Sequence, residues 1–242
     1  MAHTNPDYTT KGKLSKITAS TDNAELAVRL GSPVSFDRRG NVVWLDDFEG
    51  AILLWTAGPG LGGGVAALTA AWANRGSQSC ELTAGAGAFG QARIYREFYL
   101  PRIGLTGLES SFTVDAATDY VQMDLRYYDG SGYVSGGLRY DRANTRIEYR
   151  DNLNAWIPII DPYTINTTTA QFNTWKFVID PSGIEYVRIL VNDREIDMTG
   201  IPLYDTGVGG TEHFYVNIRH DSANALVKTI YVDDVILTIN EP

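Results

Sequence analysis

The sequence is short of cysteine. Cys80 is the only one in 242 residues, so no internal disulfide can form. It sits in an apolar-alternating stretch with Leu82, a position that suits a small buried hydrophobe rather than a nucleophile. Positive charge is scarce too: 20 Lys and Arg against 29 Asp and Glu leave a net charge of −9. Gripping nucleic acid through its phosphates needs a basic face, so no nucleic-acid partner is expected. No apolar run approaches the ~20 residues of a membrane span, so no membrane partner is expected either. Met1 to Leu14 is polar and lacks the apolar core of a secretory signal. The chain is therefore expected to work inside a cell or to be a mature or recombinant form. Catalytic signatures are missing as well, with neither G-x-S-x-G nor H-E-x-x-H in the sequence. Of the three histidines, His3 is near the start, and His213 and His220 end one stretch. That His220, Asp221 and Ser222 are adjacent in sequence says nothing about triad geometry.

What is present points to β structure. Hydrophobic residues make up 44% and aromatics 11%, with 24 glycines and 14 tyrosines, enough for a sizeable core of pleated strands. Asp46-Asp47-Phe48-Glu49-Gly50, followed by Trp55, reads as the opening of a sandwich. The closing stretch Ile230 to Leu237 matches it, with Asp233 and Asp234 interrupting a β-branched run. Between them strands follow one another at short spacing. Tyr120 to Tyr128 is the clearest, with Val121, Met123, Leu125 and Tyr127 opposing Gln122, Asp124, Arg126 and Tyr128. Asp129-Gly130-Ser131-Gly132 turns it into Tyr133 to Tyr140. Trp55 and Trp175 are expected in the core. The pattern predicts an all-β, two-sheet antiparallel β-sandwich, a jelly roll, over residues 42–242.

Residues 1–41 differ. They read as an extended N-terminal arm with one short helix, in which Asp22 and Glu25 form a capping box and Gly31 ends the turn. Leu26 and Leu30 share a face of that helix and are the candidates for docking on another subunit. The alternative is an arm folded back on its own domain.

The order Asp47-Phe48-Glu49, Trp55, Ala73-Asn74-Arg75-Gly76-Ser77 and Tyr231-Val232-Asp233-Asp234-Val235 resembles the jelly-roll carbohydrate-binding modules. Thr174-Trp175-Lys176 and the Val191-Asn192-Asp193 hairpin look like concanavalin A-like sandwiches of the laminin-G and glucanase kind. The stretch Phe36 to Glu49, preceded by an arm, is similar to sandwich proteins encoded among the structural genes of tailed phages. The modules imply that opening and closing strands lie side by side. They also imply a structural calcium held by Glu49 and by Asp233 or Asp234, with Asp47 a further ligand; calcium takes six to eight oxygens. The plain alternative is that these acids are solvated at the rim or cap backbone amides. The phage resemblance implies a virion-surface decoration protein whose arm docks on other virion subunits or on a second copy.

Glu195-Ile196-Asp197-Met198-Thr199-Gly200 begins like the glucanase motif E-x-D-x-x-E, but Gly200 stands where the second glutamate belongs. Retaining hydrolysis needs two carboxyl groups, so these residues are expected to form a polar hairpin face and the chain is not expected to be an enzyme. Two G-x-G-x-x-G stretches, Gly58 to Gly63 and Gly85 to Gly90, open no helix and read as loops. Tyr127, Tyr128, Tyr133, Tyr140, Tyr149 and Trp156 cluster in consecutive strands, with Arg126, Arg139, Asp124 and Glu148 nearby. Of these, Tyr128, Tyr133, Tyr149, Trp156, Arg126 and Arg139 are the candidate carbohydrate or partner surface, since sugar rings stack on aromatic faces. The expectation is a non-enzymatic virion decoration protein. Its alternative is a carbohydrate-binding module with a structural calcium, acting outside the cell on a polysaccharide.

Overall fold

The computed structural model describes residues 37–242 except 38, 59–60, 88–89, 101–102, 116–117, 169, 208 and 223–226. The predicted helix with Leu26 and Leu30 lies outside the described residues. Among the described residues the chain forms sixteen strands in two antiparallel sheets. The first sheet, A, runs in the order β13 (Arg194–Asp197), β12 (Glu185–Val191), β11 (Asn173–Asp180), β6 (Thr106–Phe112), β16 (Lys228–Ile239), β4 (Ser79–Ala84), β3 (Val65–Thr69). The second, B, runs β10 (Trp156–Ile160), β9 (Arg146–Arg150), β8 (Tyr133–Asp141), β7 (Tyr120–Tyr128), β15 (His213–Ser222), β5 (Gly90–Phe98), β2 (Thr56–Gly58). Strand β1 (Asn41–Asp46) adds to β16, and β14 (Tyr204–Asp205) adds to β8.

The opening and closing strands lie side by side, as the resemblance implied. β1 pairs with β16 from Asn41↔Ile239 to Asp46↔Val235. On the same edge the first half of β16 pairs with β4, from Lys228↔Ala84 to Val232↔Cys80. Asp233 and Asp234 mark the exchange of partners: the register with β6 on the other edge shifts here, and Asp234 takes a φ of 49°. At the end of β1, Asp46 accepts hydrogen bonds from the Phe48 amide (2.9 Å) and from Trp55 Nε1 (2.8 Å). One buried carboxylate thus turns the chain, and Phe48, held at a φ of 55°, is carried into the core beside Trp55.

The period-two pattern puts Val121, Met123 and Leu125 of sheet B opposite Trp175, Phe177 and Ile179 of sheet A in one core. Phe112 meets Trp175 edge to face at 4.7 Å. The sheets lie close at Gly136, where an added Cβ would sit 2.8 Å from Ile179 and 3.1 Å from Tyr186. Tyr186 of β12 crosses the core there. Its hydroxyl accepts from the Gly137 amide (2.8 Å) and donates to the Arg150 carbonyl (2.8 Å), so it stitches β8 to β9 where they part. The two glycine-rich loops pack backbone to backbone: a Cβ on Gly85 would lie 1.9 Å from the Gly62 carbonyl oxygen.

The outer face of sheet A is closed by charges. Lys176, fully buried, pairs with Asp37 (2.9 Å) and Glu241 (2.7 Å), and Arg188 pairs with the same two acids. Arg39 reaches Glu195 (2.8 Å). Asp37 and Arg39 to Asn41, the described end of the predicted arm, therefore lie on the chain's own sandwich. Next to Lys176 across the register is Glu109. Burial pushes its carboxyl up to about 8 against the pull of Lys176, with Asp37, Asp234 and Glu241 adding repulsion.

Two outcomes test this account. Tyr186→Phe should destabilise the fold by about 1–3 kcal/mol, because a buried amide and a buried carbonyl lose their partner; urea unfolding measures it, and an unchanged midpoint would count against the stitch. Glu109 keeps a proton in the folded state that the unfolded chain releases near 4.5, so stability should fall as pH rises from there to about 8. Thermal melts across that window should show the decline in the native protein and a shallower one in Glu109→Gln.

Candidate functional site

The outer face of sheet B is built from the polar half of the strand alternation. β7 and β15 pair without a shift over nine positions, from His213↔Tyr128 to Asp221↔Tyr120. Side chains of the same orientation on neighbouring strands therefore line up in rows across the sheet. One row is Glu148, Arg139, Gln122, Arg219, Arg93. The next sets Trp156 beside Arg150, with Gly137, Asp124, Asn217 and Tyr95 in line. A third is Tyr204, Ser135, Arg126, Tyr215, Glu97, and a fourth is Tyr133, Tyr128, His213.

Rings and guanidinium groups alternate over this face. Arg139 lies 4.5 Å from the Tyr120 ring centre and 4.6 Å from that of Trp156, over which Arg150 also lies at 4.9 Å. Arg126 sits between Tyr133 (5.2 Å) and Tyr215 (5.3 Å). Tyr95 and Tyr215 stack at 5.4 Å, and Tyr128 stacks on His213 at 4.4 Å. Gly137 leaves room for the Trp156 indole, which a Cβ there would meet at 3.3 Å. Apart from the buried Arg150, the rings and guanidiniums are half-buried, and they cover a floor of smaller buried polar groups. Asp124, 1% exposed, accepts from Gln122 (2.6 Å) and Asn217 (2.8 Å) and pairs with Arg150 (2.8 Å). Glu148 is held by Arg139 and by Arg146 (2.7 Å). Such a bonded floor, in which Asn217 Oδ1 alone among the acceptor oxygens of these named residues is left without a donor or ion-pair partner, orients the rings above it. Burial raises the Tyr215 hydroxyl above the usual phenol range, while Arg93 and Arg126 on either side pull it back.

Five of the six surface residues expected from sequence meet on this face: Tyr128, Tyr133, Trp156, Arg126 and Arg139. Tyr149 is corrected. It pairs with Leu138 and Ile157, lies between the outward Glu148 and Arg150, and so points inward, edge-on to Tyr186 at 5.8 Å. Tyr127 and Tyr140 are likewise core, at 6% and 2% exposure. Sequence reasoning missed Tyr95, Tyr215, Arg93, Arg219 and Asn217 as site residues. Their alternation was visible in β5 and β15, but their place beside β7 was not.

The acids expected to hold calcium converge on one loop rather than on one point. Glu49 accepts from the Ser77 amide (2.6 Å), the Ser77 hydroxyl (2.7 Å) and the Gln78 amide (2.7 Å). These bonds hold its carboxyl below the usual range. Asp233 accepts from the amides of Asn74 (2.8 Å), Arg75 (3.3 Å) and Asp234 (2.8 Å), and Asp234 from the Asn74 side chain (2.7 Å). Asp47 accepts from the Glu49 amide (3.2 Å). Among the described residues no three His, Cys, Asp or Glu side chains are grouped to hold a metal ion. Glu49 is exposed and both of its oxygens are bonded to the Ser77–Gln78 backbone and hydroxyl, so it offers no buried free oxygen to an ion. The Asp233–Asp234 pair fits better: burial and the neighbouring charge push Asp233 up to about 7, burial raises Asp234 with Asp47 adding to it, and Asp234 Oδ1 is buried without a hydrogen-bond partner.

Other candidates resolve as structure. Glu195 and Asp197 are exposed on the edge strand β13, where Glu195 pairs with Arg39 and Asp197 accepts from the Thr199 amide (3.0 Å). His220 points into the core against the Leu82 carbonyl (3.1 Å), and burial lowers it to about 4. Cys80 is buried, and burial drives its thiol far up.

No protein-family model matches the sequence, and neither does any curated protein. Solved structures share the fold. A cellulose-induced protein, Cip1, superposes with a TM-score of 0.55 at 16% identity, covering 81% of this chain and 96% of that one. An endo-β-1,4-glucuronan lyase from the fungus Trichoderma reesei gives 0.56 at 9% identity, covering 83% and 96%. A structure titled for carbohydrate-binding modules of the β-sandwich superfamily gives 0.46 at 15% identity, covering 82% and 62%. The chain is a jelly-roll β-sandwich similar to these. Nothing in the comparisons links it to tailed phages, and the virion reading has no support from them.

Proposed function

We propose that the protein is a non-catalytic carbohydrate-binding sandwich that takes a polysaccharide on the outer face of sheet B. The observation that carries this is the alternation of half-buried rings and guanidinium groups over a buried polar floor. Pyranose rings offer apolar C–H faces to such rings and hydroxyls to the donors between them. The floor carboxylates Asp124 and Glu148 are each bound by arginine, which suits orientation of side chains rather than proton transfer. Trp156→Ala and Tyr215→Ala should each weaken retention in polysaccharide-containing gels by about tenfold or more, in line with the 1–3 kcal/mol of a burying aromatic contact. Their melting temperatures should stay near that of the native chain. A native protein that migrates unretarded through every polysaccharide tried would sink this reading.

We also propose that the Asp233–Asp234 bulge takes a calcium ion, which would relieve the repulsion there and occupy the unpartnered Asp234 Oδ1. A ligand that binds only the folded state stabilises it by ~2.7 kcal/mol at a hundred times its Kd. Millimolar calcium should raise the melting temperature of the native protein and not that of Asp234→Asn. Equal melts with calcium and with chelator would remove the ion from the account.

A further inference from the structure

We infer that the polysaccharide is an acidic one whose carboxylates are gripped by Arg93 and Arg126 on either side of the Tyr95–Tyr215 stack; this rests on the carbohydrate-binding reading above. The arginines of this face fall into two groups. Arg139, Arg146, Arg150 and Arg219 each form an ion pair with a carboxylate of the sheet: Glu148, Glu148 and Asp141, Asp124, and Asp221 respectively. These four are spent on the protein. What separates Arg93 and Arg126 is that among the described residues no ion pair engages either; the Nε of each is buried without a hydrogen-bond partner, as are those of Arg150 and Arg219. Burial lowers Arg126, and the nearby Asp124 charge and a side-chain hydrogen bond with Tyr128 outweigh it and keep the guanidinium charged. Asp124 itself is bonded to Arg150, Gln122 and Asn217.

The two arginines are placed for one ligand. Tyr215 pairs with Arg126 across to β7 and is two residues, hence the same face, from Asn217, which pairs with Tyr95 of β5. Arg93 is two residues before Tyr95 on the same strand and face, with its guanidinium 5.7 Å from that ring. The order along this diagonal is Arg93, Tyr95, Tyr215, Arg126, so both cations flank a two-ring platform. A sugar stacked on the rings would bring a ring carboxylate to a guanidinium at either end. Guanidinium is the side chain that binds carboxylate through two parallel hydrogen bonds. Two charged groups half withdrawn from water without an ion-pair partner cost stability, and an anionic ligand offsets that cost. The placement also stands out against a chain whose net charge is −9. A neutral glycan would offer both cations hydroxyls but no counter-charge.

The test compares three polymers on the full chain by isothermal titration: polyglucuronate, the same polymer reduced at its carboxyls to a neutral glucan, and dextran sulfate. Polyglucuronate should bind at least tenfold tighter than its reduced form, and the advantage should shrink as salt is raised. Arg126→Met and Arg93→Met, which keep length and remove charge, should each reduce polyglucuronate affinity about tenfold and lower any affinity for the neutral glucan by a smaller factor, so that the preference for the charged polymer shrinks. If a methionine variant melts early, Arg126→Lys serves in its place: it keeps the charge without the planar fork and should fall between. Equal affinity for the charged and reduced polymers overturns the inference and leaves the carbohydrate reading standing. Binding of dextran sulfate without polyglucuronate overturns the assignment to carboxylates. Binding of none of the three, together with no retention in neutral-glycan gels, overturns both.

Discussion

The register between β7 and β15 is the constraint on which the rest depends. Nine consecutive pairs run without a bulge through the middle of sheet B. A slip of one residue would send Val121, Met123 and Leu125 to the outside and draw Gln122, Asp124 and Arg126 into the core. With the register held, one set of side chains closes the hydrophobic core against Trp175 and Phe177, and the other is laid out in rows. The same backbone pairing thus makes the core and the candidate site, and neither can shift without the other.

Both outer faces are polar, and they use charge differently. On sheet A the charges are gathered around Asp37, Arg39 and Glu241, with Lys176 wholly buried among acids. Buried pairs of this kind are weak evidence for stability, and breaking one partner is costly. Their geometric effect is plain: they tie both ends of the described chain onto one sheet. On sheet B the acids form the floor and the arginines and rings form the upper layer. The first arrangement closes a surface. The second leaves one facing outward, with donors and flat apolar rings side by side.

The β16 bulge shows how a local break in a strand organises distant loops. At Asp233–Asp234 the edge of β16 passes from β4 to β1, and the carboxylates freed from the ladder's regular pattern reach the Asn74–Gln78 loop. Glu49 grips the other end of that loop. The acids that stand out in sequence at both ends of the chain therefore serve one piece of backbone between them.

The sequence by itself determined the fold class and the facing of most side chains, while the pairing of opening with closing strand came from the resemblance to the modules. Fold class and facing follow from period two and from turn residues, both of which are local. Trp55 and Trp175 were legible as core, and Tyr128, Arg126 and Arg139 as outward. Tyr149 was misassigned because density of aromatics was weighed above its alternation with Glu148 and Arg150. What only the tertiary structure decided is which strands are neighbours. β5, β7 and β15 are far apart in the chain, so nothing local could bring Tyr95 onto Tyr215, set Arg93 and Arg126 at their two sides, or show that Asp124 is already bound by Arg150. Strand order is settled by how two whole sheets bury their apolar faces together, and that is a property of the complete chain.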